Sequence, residues 1–278
     1  MSILNHTPVE TYLCEGIPVL VKREDMATNP PAPPFSKMRG LYAHLKKLKE
    51  YGIQTVGYTE TSISMAGWGV AYVCRLLDMT PVLYDPQYHE TPDLLKFHRR
   101  QWAQFKPIIY PIKAGRAKVG YYTARNHFYG HYPTNSIMLE LGIPLDETIK
   151  ETAAEWIKTM SQTESPGTTI VNVGSGTICA GILRGWKHGD GKVIGVLGRA
   201  SDCALKINVI RKKAKREVNG MLGIPFELKD DGWEYTEKTD IHTPFPCHPY
   251  YDKKAWYWLT KNIEELEQPI LFWNIGRI

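Results

Sequence analysis

The run Thr168 to Val173 (TTIVNV), followed at once by Gly174-Ser175-Gly176-Thr177 and then by Ile178 to Ile182 (ICAGI), constrains this chain most. β-Branched residues suit a strand. The small-residue stretch after the turn suits a helix. Strand, glycine turn and helix in that order form the repeating unit of a parallel α/β sheet. The turn itself can hold an anion. Glycines let backbone N–H groups approach closely, a helix N-terminus adds partial positive charge, and Ser175 and Thr177 can donate hydroxyl bonds.

Three readings of the turn stand side by side. It is a tight connection with no ligand, a dinucleotide site, or a cup for the phosphate of pyridoxal phosphate. For the second, Gly174, Gly176 and Ala180 fit a G-x-G-x-x-x-A variant of the dinucleotide fingerprint, and Arg199 ends the next predicted strand where an NADP 2′-phosphate could be met. Cys179 occupies the usual third-glycine position, however, and no residue set for hydride transfer is visible. The loop alone does not separate these readings.

The rest of the chain alternates in the same way. Strands are expected at Gly16 to Lys22, Gln54 to Tyr58, Pro81 to Tyr84, Pro107 to Pro111 and Lys192 to Leu197. Helices are expected over Met38 to Tyr51, Val70 to Leu77, Asp93 to Phe105 and Asp146 to Met160. The prolines of Asn29 to Pro34 (NPPAPP) hold an extended loop, and Lys37 follows it near a helix start. Gly115 to Thr134, rich in Tyr, His, Gly and Arg, reads as irregular, half-exposed structure.

With 43% hydrophobic and 23% charged residues among 278, the chain can bury a sizeable core. No apolar run is long enough for a membrane span and no signal peptide is visible, so a soluble cytoplasmic protein is expected. The scattered cysteines Cys14, Cys74, Cys179, Cys203 and Cys247 form no C-x-x-C pair, so neither a disulfide framework nor a metal site is expected. The net charge of +5 is modest, but Arg211, Lys212, Lys213, Lys215 and Arg216 form a basic run. It reads as a solvated helix face or as contact with a phosphate-bearing partner.

Six stretches in order carry a family resemblance. They are Thr7 to Glu10 (TPVE), Val21 to Asp25 (VKRED) with Phe35 to Gly40 (FSKMRG), Ser62 to Ala71 (SISMAGWGVA), Val173 to Ile182 (VGSGTICAGI), His248 to Ala255 (HPYYDKKA) and Pro269 to Gly276 (PILFWNIG). Together they resemble pyridoxal-phosphate (PLP) enzymes of fold type II, and are most similar to the branch of 1-aminocyclopropane-1-carboxylate deaminase and D-cysteine desulfhydrase. The resemblance implies a two-lobed, tryptophan synthase β-like α/β architecture of three layers, αβα. The large cofactor-binding domain is expected at 1–43 with 145–278, and the small domain at 44–144.

It further implies that Lys37 holds the cofactor as a Schiff base and moves a proton once freed. Gly174, Ser175, Gly176 and Thr177 hold its phosphate. Asp252 pairs with the pyridine nitrogen, while Tyr251 and Ser64 face the substrate. Two positions depart from the pattern: Met65 replaces an asparagine that binds the ring hydroxyl, and Ile275 replaces a threonine. The expected function is a PLP-dependent lyase, deaminase or decarboxylase acting on an amino acid or amino-acid-like group, in a homodimer. A second reading has the amino acid attached to a nucleotide or nucleic acid. It rests on the basic run and on Tyr121, Tyr122, His127, Phe128 and Tyr129, since bases stack on aromatic rings. A third is an NADP-binding reductase built on the GSGT loop.

Overall fold

The structure, a computed structural model, describes residues 4–214 and 224–278. It divides into two compact units, the first comprising Met1–Asn29, Pro34–Arg39 and Asp146–Ile278, the second Pro30–Pro33 and Gly40–Leu145.

The first unit is built on six strands: β1 (Val9–Cys14), β2 (Ile17–Arg23), β7 (Thr168–Val173), β8 (Lys192–Leu197), β9 (Phe226–Lys229) and β10 (Ile270–Asn274). Their order is β1-β2-β10-β7-β8-β9, all parallel except the β1–β2 hairpin at one edge. Side chains alternate across the sheet. Val171, Val173, Leu271 and Trp273 point to a core shared with α5 (Asp146–Met160), α6 (Thr177–Gly185) and α7 (Cys203–Ala214). Val19, Val21, Ile170, Ile194, Val196 and Phe272 point to the other, shared with α8 (Asp252–Asn262). The central strands are buried at nearly every position because both faces are covered, which gives the expected αβα layering.

The second unit carries β3 (Thr55–Thr59), β4 (Thr80–Gln87), β5 (Ile108–Lys113) and β6 (Ser136–Met138), in the order β5-β4-β3-β6 and all parallel. It also holds most of α1 (Met38–Glu50), together with α2 (Ala66–Leu76), α3 (Asp93–Ala103) and α4 (Ala117–His131). Helix α4 corrects the expectation of irregular structure over Gly115 to Thr134. Its ring-rich sequence hides an apolar stripe: Ala124 and Phe128 are fully buried against Val82, Tyr84 and Met138, with Tyr121 packed beside them. Tertiary burial outweighs the weak helix propensity of aromatic residues. Phe128 is therefore core and offers no stacking surface, while Tyr122 and Tyr129 remain exposed.

Candidate active site

Strand β7 delivers the GSGT loop to the N-terminus of α6. Gly176 has φ +80°, the left-handed conformation that glycine tolerates best, and a Cβ there would lie 2.6 Å from Ile210 Cγ1 on α7. Helix α7 thus lies against the turn. A Cβ on Gly174 would meet nothing within 4 Å, so one side of the loop is open. The hydroxyls of Ser175 and Thr177 stand 2.9 Å apart.

Lys37 reaches this loop across 138 residues of sequence: its Nζ donates to Ser175 Oγ at 3.3 Å. Burial pushes the Lys37 amine down to about 8, and the positive charges of Lys213 and Lys206 push the same way. An amine so poised is neutral far more often at physiological pH than an ordinary lysine, as attack on a carbonyl requires.

Asp252 opens α8 and is fully buried. It is not an exposed helix start. Its Oδ1 accepts the N–H of Ile275 at 3.0 Å and its Oδ2 that of Gly276 at 3.2 Å. Burial raises its pKa to about 8 against the pull of those two N–H groups, and the charge of Asp25 adds to the rise. A cation facing this carboxyl would find a ready counter-charge. Ile275 also links the two sites, because its carbonyl accepts the N–H of Ser36, next to Lys37. One short segment after β10 therefore holds both the carboxyl and the lysine loop. Ile275 does this through its backbone, so replacement of the family threonine leaves these contacts intact.

Tyr251 precedes α8. Its carbonyl accepts a bond from Asn172 Nδ2 at 2.9 Å, which ties it to β7 two residues before Gly174. Its ring lies 4.5 Å from that of the buried His248. The VKRED and SKMRG stretches build a buried ionic knot. Arg39 Nε donates to Glu24 Oε2 at 3.0 Å, Lys22 Nζ to Glu155 Oε1 at 2.5 Å, and Arg23 reaches both oxygens of Asp25 at 2.9 Å. Arg39 stands two residues beyond Lys37, so the knot anchors the lysine's backbone.

Lys37, Gly174, Ser175, Gly176 and Thr177 thus come together, and Tyr251 and Asp252 are tied to them through Asn172 and Ile275. Ser64 and Met65 lie in the second unit. Ser64 Oγ accepts the N–H of Ala66 at 3.0 Å at the start of α2, and Met65 is buried. In the same turn the fully enclosed Glu60 accepts N–H bonds from Thr61 and Gly67, and burial pushes its carboxyl up to about 8. Sequence reasoning missed Asn172 and Lys206, which no local pattern marks, and it left Lys213 undecided within the basic run. Lys213 Nζ donates to Ser175 O at 2.6 Å, while Arg211 and Lys212 are exposed. Lys215 and Arg216 lie outside the described residues.

The donor set suits PLP. The loop's N–H groups and hydroxyls could hold a phosphate, the depressed amine could hold an aldehyde carbon, and the buried carboxyl could face a basic ring nitrogen.

No protein-family model matches the chain. The chain is 37% identical to a glycyl-dTMP PLP-dependent decarboxylase of Pseudomonas phage M6, over 99% of each. Among solved structures it resembles an ACC deaminase homologue with a TM-score of 0.82 at 18% identity, covering 99% of this chain and 90% of that one. An O-ureido-L-serine synthase gives 0.71 at 12%, covering 99% and 90%. Threonine deaminase isoform 2 of Solanum lycopersicum gives 0.64 at 15%, covering 99% and 85%. These likenesses show the fold, which is that of fold type II enzymes. No helix among the described residues is long and apolar enough to cross a membrane. The near-complete match to the phage decarboxylase decides the family: this chain is a PLP-dependent enzyme of fold type II and belongs to the family of that decarboxylase.

Proposed function

We propose that the enzyme removes the carboxyl group of an amino acid attached to a thymidine nucleotide, with Lys37 as its cofactor lysine. The observation that carries this reading is the 37% identity to the glycyl-dTMP decarboxylase along essentially the whole of both chains. It favours the nucleotide-linked reading over free amino acids, and the family does not favour an NADP reductase.

Bound at this site, PLP supplies an aldehyde that captures a primary amine and a ring that accepts the electron pair left by a broken Cα bond. The chain's own residues hold and steer. The GSGT loop takes the phosphate through backbone N–H groups and the hydroxyls of Ser175 and Thr177. Asp252 keeps a proton on the ring nitrogen, which strengthens the electron sink. Lys37 would hold the cofactor's aldehyde carbon and would return a proton to Cα after carbon dioxide has left. Tyr251 faces the substrate.

The chemistry also restricts the substrate. Its amine must be free to be captured and its carboxylate free to leave. A glycyl group meeting both conditions must be joined to the nucleotide through its α-carbon.

The test is direct. Purified protein with PLP is given a thymidine nucleotide carrying such a Cα-linked glycyl group, and carbon dioxide and product mass are followed. The expected result is stoichiometric carbon dioxide and an amine product. Borohydride should fix the cofactor on Lys37, and Lys37→Ala should abolish turnover. Turnover of free amino acids with none of the nucleotide would overturn the reading in favour of a general lyase or deaminase.

A further inference from the structure

Helix α4 ends on the sequence His127-Phe128-Tyr129-Gly130-His131. Residues four apart on a helix are neighbours on one face. The two imidazoles accordingly lie side by side, with ring centroids 4.0 Å apart and planes 17° from parallel. The protein holds each ring at the same atom. His131 Nδ1 donates to the carbonyl oxygen of His127 at 2.9 Å, and His127 Nδ1 is bonded to Tyr84 Oη at 2.9 Å. A carbonyl only accepts, so His131 Nδ1 carries the proton and, in the neutral ring, Nε2 carries the lone pair. Tyr84 of β4 is fully buried, and the ring of Tyr110 on β5 lies 4.5 Å from that of His127, so the sheet braces this ring. Their hydrogen bonds within the described residues are made at Nδ1, and neither Nε2 is engaged. His131 is exposed and His127 half-buried, so solvent reaches the pair. Partial burial, with the charge of His131 beside it, pushes the His127 imidazole below its ordinary value, which favours the neutral ring.

We propose that His127 and His131 form a binding site for a divalent first-row transition cation of the Zn²⁺ or Ni²⁺ class, ligated by their two Nε2 atoms. Two nitrogens each about 2.0–2.1 Å from one ion stand at most about 4.2 Å apart, the scale of the spacing between these rings. Neutral imidazole suits such cations, whereas Mg²⁺ and Ca²⁺ prefer oxygen. The bonds at Nδ1 supply the outer support that metal-binding histidines use: they fix ring orientation, and with Nδ1–H given to Tyr84 Oη the lone pair of His127 also stands on Nε2. His131 is the last residue of α4, where the partial negative charge of a helix C-terminus favours a cation. No third His, Cys, Asp or Glu among the described residues completes a cluster with them, so water or an outside donor fills the remaining positions. The site is built within the second unit, from α4 and its support on β4 and β5, and it does not depend on the decarboxylase reading.

The test titrates holoenzyme, carrying no oligohistidine tag, with Zn²⁺ and with Ni²⁺ by calorimetry in a buffer that does not chelate. The variants are His127→Gln and His131→Gln, with Tyr84→Phe to remove the bond at Nδ1 and the exposed His188→Gln of the first unit as control. The expected result is one ion per chain. Each variant of the pair should weaken it by about a hundredfold, and Tyr84→Phe, which keeps both ligands, by about tenfold, the lower end of the usual loss for an outer partner. His188→Gln should bind as the unaltered protein does, and excess Mg²⁺ should not compete. Absence of Zn²⁺ and Ni²⁺ binding at millimolar concentration would overturn the proposal. So would binding that persists in both variants of the pair, or that only one of them weakens, because the ion would then sit elsewhere or on a single imidazole. Undiminished binding by Tyr84→Phe would strike Tyr84 from the site. Circular dichroism checks that each variant folds; should His127→Gln not fold, the exposed His131→Gln decides, with loss of the ion supporting the site and retention overturning it.

Discussion

At the scale of single residues, two pKa shifts define the chemistry. Lys37 is brought down to about 8 chiefly by burial. Capture of PLP by the apoprotein needs the neutral amine, so its rate should climb with pH through about 8 and level off above it. Stopped-flow absorbance would measure this, and a rise centred near the ordinary lysine range of about 10.4 would contradict it. Asp252 is raised to about 8 chiefly by burial. A pyridinium beside it should draw the carboxyl back to its ionised form. Asp252→Asn should therefore bind PLP yet lower kcat by roughly a hundredfold, the scale of a lost acid–base or electrostatic contribution. Ser175 was legible from the glycine turn, whereas Lys37 and Asp252 were legible only through the motifs that resemble the family. Their shifts were not legible, because each depends on what surrounds the side chain rather than on its neighbours in sequence.

At the scale of elements, the β7–GSGT–α6 unit was readable from its residues alone, since β-branched, glycine and small residues each have a local conformational reason to stand where they do. Gly176→Ala should be costly. It would force a Cβ into the left-handed region, about 1–2 kcal/mol, and against Ile210 as well. Loss of both thermal stability and PLP affinity is expected, whereas a change at the open Gly174 should spare stability. Helix α4 was misread because its rings hide a stripe that only β4 and β6 make apolar. Phe128→Ala should cost about 3–5 kcal/mol in denaturant unfolding, as for a fully buried aromatic. The ionic knot is likewise an element-scale device. Arg39→Ala would leave Glu24 buried without its guanidinium, at a cost of about 3–5 kcal/mol, and should loosen the lysine loop.

At the scale of the whole molecule, folding and cofactor capture should be linked. Saturating PLP at about a hundred times its Kd would stabilise the protein by about 2.7 kcal/mol, seen as a rise in Tm that Lys37→Ala largely removes. The sequence by itself determined the strand–helix alternation, the phosphate-type turn and the ordered motifs that mark the family, because periodicity, glycine punctuation and residue type are local properties. Only the tertiary structure decided that Lys37 meets Ser175, that Ile275 holds Asp252 and Ser36 together, and that Lys213 of α7 reaches the GSGT loop. The reason is physical: burial and Coulomb interactions are set by distance in space. The residues that perturb Lys37 stand far from it along the chain and close to it only once β7, α6 and α7 have packed.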